Sequence, residues 1–140
     1  MRRTGLALIV YLLTIGSGSA DVRILSSSGG PVGGYLALFS QLRQSGQRVI
    51  IDGPCLSACT LVLSTIPRNR ICVTRRAVLG FHAPQVVDKT GRTFRSREAT
   101  RALSAAYPPA VRTWIRRRGG LKQKFIYLRG RELAALYARC

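Results

Sequence analysis

RVIIDGPCLSAC, residues 48–59, is the stretch on which the rest of the chain turns. Arg48 to Asp52 is a short apolar run of the type buried in parallel sheets. Gly53-Pro54 breaks it, and Ser57 to Leu63 starts a helix. Upstream, Asp21 to Leu25 reads as a strand entering the turn Ser26-Ser27-Ser28-Gly29-Gly30-Pro31. A helix follows, with Tyr35, Leu36, Phe39 and Leu42 on its apolar face, and it closes near Ser45-Gly46. Downstream, Pro67 and Asn69 make a turn, and Ile71 to Thr74 and Ala77 to Phe81 read as two more strands. The order β-α-β-α-β-β implies an α/β domain with a mostly parallel sheet and right-handed crossover helices.

The remainder is plainer. Gln85 to Ser96 is polar, with a turn signal at Asp88-Lys89-Thr90-Gly91. Glu98 to Ala106 reads as a helix. Pro108-Pro109 opens another that runs through Arg118 and stops at Gly119-Gly120. Phe125 to Leu128 reads as a last strand and Arg131 to Ala138 as a terminal helix. There is no internal repeat and no long low-complexity segment.

The first 20 residues read differently. Arg2 and Arg3 precede an apolar run from Gly5 to Ile15, and small residues fill Gly16 to Ala20. That is the order of a signal peptide cleaved after Ala20, with Gly18 and Ala20 at the −3 and −1 positions. The apolar run is well short of the roughly 20 residues of a membrane span. The expected location is periplasmic or secreted, with a membrane anchor formed by an uncleaved signal segment as the alternative. The expected organisation is a signal at 1–20 and one α/β domain at 21–140.

Charge is lopsided. Of the 23 basic side chains, Arg2 and Arg3 go with the signal, leaving 21 against 5 acids. All but Lys89, Lys122 and Lys124 are arginine. Such a balance favours polyanions or an acidic membrane surface, although an arginine-biased, solvated surface gives the same count. No specific nucleic-acid motif is present.

Four cysteines follow the signal: Cys55, Cys59, Cys72 and Cys140. In an exported chain an even number points to two disulfides, with three connectivities open. Zinc is the rival reading, but there is no CxxC pair and His82 is the only histidine. A thiol at Cys55 or Cys59, poised at a helix start, would be a redox or nucleophilic group. The glycine turn is no dinucleotide site, because Pro31 occupies a required glycine position. No metal and no cofactor is expected.

Three features could carry chemistry together. Ser57 stands at a strand-to-helix turn, where its hydroxyl is exposed and free amide N–H groups can meet a developing oxyanion. Gly29-Gly30 lets backbone donors approach a neighbouring point without a side chain in the way. His82, directly after a strand, is placed to act as general base. Each has a structural reading too: Ser57 as a helix cap, the glycines as a tight turn, His82 as a packed histidine. Among the five acids (Asp21, Asp52, Asp88, Glu98 and Glu132), Asp88 is the candidate to orient His82, although its turn also accounts for it. Asp52, at a strand end, suits local hydrogen bonds.

Ser27-Ser28-Gly29-Gly30, Gly53-Pro54-Cys55-Leu56-Ser57-Ala58 and His82-Ala83-Pro84, taken in order, resemble the Clp protease proteolytic subunit and its relatives in the ClpP/crotonase superfamily. There a Ser-Pro-Gly-Gly turn, a Gly-x-x-x-Ser nucleophile turn and a His-Gln-Pro strand end follow one another. The spacings of 27 positions from Gly30 to Ser57 and 25 from Ser57 to His82 fit. The chain looks especially like small exported proteins of this superfamily that carry a Cys-x-Ser-Ala-Cys box and end in cysteine. The likeness covers residues 21–84 well and the remainder loosely. It implies Ser57 as nucleophile, His82 as base, and the N–H groups of Gly30 and Ala58 as the oxyanion hole. It further implies a homo-oligomer acting on peptide or protein substrates. Ser28 departs from the usual proline, the strands before the glycine turn are missing, and no motif marks the family's downstream aspartate. The expectation is therefore an exported serine hydrolase, with a non-catalytic, disulfide-stapled envelope module that binds polyanions as the alternative.

Overall fold

The structure is a computed structural model that describes residues 20–140, so the expected signal lies outside the described residues except for Ala20. The chain begins with β1 (Val22–Ile24), α1 (Val32–Ser45), β2 (Val49–Ile51) and β3 (Pro54–Leu56). A 3₁₀ turn, Ser57–Leu61, then runs into the single-turn α2 (Val62–Thr65). Next come β4 (Ile71–Val73), β5 (Val78–Phe81) and the hairpin of β6 (Gln85–Val87) and β7 (Thr93–Arg95). α3 (Arg97–Ala106), α4 (Pro109–Arg117), β8 (Ile126–Arg129) and α5 (Gly130–Leu136) complete it.

The strands form two small sheets and the hairpin. One sheet has the order β1-β2-β4 and is parallel throughout. The other has the order β3-β5-β8, with β3 parallel and β8 antiparallel to β5. Successive stretches of chain each visit the first sheet and then the second. β1 pairs with β2, and the chain after it pairs, at Ser27, with Cys55 of β3; β2 continues into β3, and β4 into β5.

The expected mixed α/β class holds, but the expected mostly parallel sheet is divided in two. Gly53 marks the division. A Cβ there would lie 2.0 Å from the Leu25 carbonyl oxygen, so only glycine lets the two backbones pass this closely. β3 itself went unread, because Pro54 looks like a breaker when it in fact opens the strand. Proline is tolerated at a first strand position, where no ladder N–H is required.

One hydrophobic cluster links the layers. All three residues of β2 and of β4 are buried, which explains their unbroken apolar runs. Phe39 of α1 joins the same cluster, and Val111, Trp114 and Ile115 of α4 reach it at helical spacing. Phe81 packs edge-on against Tyr107 and tilted against Trp114, with centroids 5.2 and 5.7 Å apart. Beyond α5 the chain lies beside β4: Val73 N–H donates to the Ala138 carbonyl and Cys140 N–H to the Val73 carbonyl. The disulfides are Cys55–Cys59 and Cys72–Cys140, which settles the connectivity the sequence left open. No helix among the described residues is long and apolar enough to cross a membrane.

Candidate active site

Ser57 is the only non-glycine described residue with a positive φ, at 55°. The left-handed conformation costs an L-residue about 1–2 kcal/mol, so the surroundings must impose it. They do so from several sides. Cys55 and Cys59 are joined across the residue, and Leu56 N–H donates to the Ser27 carbonyl. Thr60 Oγ1 donates to the Ser57 carbonyl at 2.7 Å. The Thr60 hydroxyl has a single proton, so the Tyr107 hydroxyl, 2.6 Å away, is the donor of the next bond. Burial pushes the Tyr107 phenol up to about 12, which keeps that donor protonated.

The strained turn aims Ser57 Oγ at the ring of His82, with Oγ 2.7 Å from Nε2. The helix-cap reading of Ser57 fails: Leu56 is the cap residue, and the turn has no side-chain cap. His82 leaves the end of β5 and stacks on Phe125, with centroids 4.3 Å apart and planes 22° from parallel. Partial burial lowers the His82 pKa below its usual 6.5, so the ring is neutral near pH 7.

Gly29 approaches the same point at φ +89°, and a Cβ on it would sit 2.6 Å from Ser57 Cβ and 3.1 Å from Ala58 N. Its neighbour Gly30 lines a cavity of about 240 Å³ together with Ser57, Ala58, His82, Leu103 and Tyr107. Ala58 lies in the first turn of its helix, where a backbone N–H has no intrahelical partner. Ser57, His82, Gly30 and Ala58 therefore meet around one small cavity.

Asp88 does not join them. Its carboxylate accepts from Thr90 N–H, Thr90 Oγ1, Arg92 N–H and Arg92 Nε within its own turn, and those bonds lower its pKa. Asp52 is buried and accepts from Arg76, Thr74 and Arg23, with the Arg76 bond the largest cause of its lowered pKa. Asp21 pairs with Arg48 and Glu132 with Arg118. Among the described residues, no acid bonds His82. All four cysteines are in disulfides, which removes the free thiol and the zinc-ligand readings of the pair flanking Ser57.

Three supporting residues escaped the sequence reading. Thr60, three positions after Ser57, lies at the spacing that returns a hydroxyl to the turn's carbonyl. Tyr107 and Phe125 arrive from 50 and 68 positions beyond Ser57, and no short-range pattern marks them.

The residues thus define an α/β protein with a serine–histidine pair set between a glycine turn and a disulfide-bracketed strand end. No family model matches the chain, and no characterised protein matches it.

Proposed function

We propose that the protein is an exported serine hydrolase of the Clp-protease-like type that cleaves peptides by acyl transfer through Ser57. The observation that carries this reading is the 2.7 Å contact of Ser57 Oγ with His82 Nε2 from a strained backbone. Strain of this kind is held by surroundings that over-determine it, and it concentrates at functional sites. Two disulfides support export to an oxidising compartment.

In this mechanism Ser57 Oγ attacks the scissile carbonyl carbon as its proton passes to His82 Nε2. The N–H groups of Gly30 and Ala58 receive the charge on the carbonyl oxygen. The tetrahedral species collapses, the carbon–nitrogen bond breaks, and His82 returns the proton to the leaving amine. Water, deprotonated by the same nitrogen, then releases the acyl group. His82 must carry its resting proton on Nδ1, where no described residue accepts it. Losing the orienting carboxylate lowers the turnover of a full triad by about 10⁴-fold, so a slow enzyme is expected.

The test is labelling of the full chain with a fluorophosphonate probe. Wild type should label, while Ser57→Ala should not label at all and His82→Ala should label at least a hundredfold more slowly. Labelling that survives Ser57→Ala would refute the assignment.

A further inference from the structure

A second cleft backs onto this site. It has a volume of about 530 Å³, and its walls carry Arg95 from the end of β7, Arg97 and Arg101 from α3, and Lys122 from the loop before β8. Ala83 and Thr100 also line it. Arg97 and Arg101 are four apart and so share a helix face. None of the four cations forms an ion pair, and no described residue accepts a hydrogen bond from any of their side chains. Of the five acids, four pair elsewhere. Glu98, the fifth, is exposed on α3, does not line the cleft and forms no ion pair.

Helix stability does not explain the arrangement. Arg97 opens α3, where the helix dipole disfavours a cation. The four residues are exposed, with Lys122 Nζ lying toward Gly119; like charges gathered at one cleft repel one another and raise a positive potential there. An anionic group relieves both.

The cleft and the Ser57 cavity share a wall. His82 and Pro84 line the cavity, and Ala83 between them lines the cleft, as alternation along an extended segment requires. On α3, Thr100 faces the cleft and Leu103 the cavity. Ala83 N–H donates to the Lys122 carbonyl at 2.7 Å, which ties the cationic loop to the residue after the base.

We propose that this cleft is the specificity subsite of the enzyme, taking the carboxylate side chain of an acidic peptide substrate. The inference rests on the peptidase reading, so its test measures binding and needs no turnover. Ser57→Ala protein is titrated into a fluorescent peptide containing paired Asp and Glu residues, and into its Asn/Gln analogue. The acidic peptide should bind at least tenfold more tightly. Adding Arg97→Gln and Arg101→Gln should abolish that preference, and adding Arg116→Gln and Arg117→Gln on α4, which removes the same charge elsewhere, should leave it. Equal loss in both double variants would overturn the proposal in favour of bulk charge. So would a single-stranded DNA dodecamer that binds the intact cleft more tightly than the acidic peptide at equal salt. Cleft-dependent peptide binding by Ser57→Ala, together with a wild-type chain that takes no fluorophosphonate label, would refute the peptidase reading and uphold the anion site.

Discussion

His82 works, in this reading, without a carboxylate behind it, and its environment compensates in two ways. Phe125 fixes the ring plane by stacking, and partial burial keeps the ring neutral. The sign of the pH dependence follows. A lowered histidine pKa means the unfolded chain binds the proton more readily than the folded one. Stability is then lost as pH falls below 6.5, the usual value. Fluorophosphonate labelling should likewise decline as pH falls, with an apparent pKa under 6.5; a pH–rate profile checks this. The hydroxyl chain behind Ser57 gives an ordered pair of effects. Tyr107→Phe removes one buried hydrogen bond and should cost about 1 kcal/mol. Thr60→Val removes the donor to the Ser57 carbonyl and strands the buried Tyr107 hydroxyl, costing about 2–3 kcal/mol. Urea unfolding gives the stabilities. Labelling should fall more in Thr60→Val than in Tyr107→Phe, since only Thr60 touches the Ser57 backbone.

Among the elements, the step from β2 to β3 is the least tolerant point. Gly53→Ala would drive a methyl into the Leu25 carbonyl, backbone against backbone, and should destabilise by about 3 kcal/mol. Thermal unfolding measures it. This step also shows what the sequence could and could not reveal. The buried runs of β2 and β4, the αL glycine Gly46 that ends α1, and the Pro109 start of α4 are local signals, and each element lies where its signal placed it. β6 and β7 were not foreseen as strands, because two mostly exposed strands of three residues each have no period long enough to read. The sequence brought Ser57 and His82 together by chain order, each after a strand, but it took that strand to be the Arg48–Asp52 run. The strand that precedes Ser57 is β3, the parallel neighbour of β5. Asp88 was a reasonable partner by proximity along the chain. In space its own turn amides and Arg92 satisfy it first.

For the molecule as a whole, the longer disulfide is the dominant restraint on the unfolded chain. Cys72 and Cys140 are 68 positions apart, and closing a loop of that size is worth on the order of 4 kcal/mol by chain entropy. Cys140→Ser should lower stability by that order, read as a reduced urea midpoint. It should also fray the chain end along β4, read by faster hydrogen exchange at Val73, whose N–H donates to the Ala138 carbonyl. Cys55–Cys59 encloses too short a loop for a comparable effect, and its consequence falls on the conformation of Ser57.

The bond between Cys72 and Cys140 also makes that stretch of chain a covalent ring, and the ring contains His82, the β6–β7 turn and the arginine cleft. Outside a cell, the exposed basic residues Lys89 and Arg92 in that turn are obvious targets for trypsin-like proteases. A single cut there opens the ring without releasing a piece. The base stays covalently joined to both halves and is still carried on β5, so the protein survives a nick as one molecule.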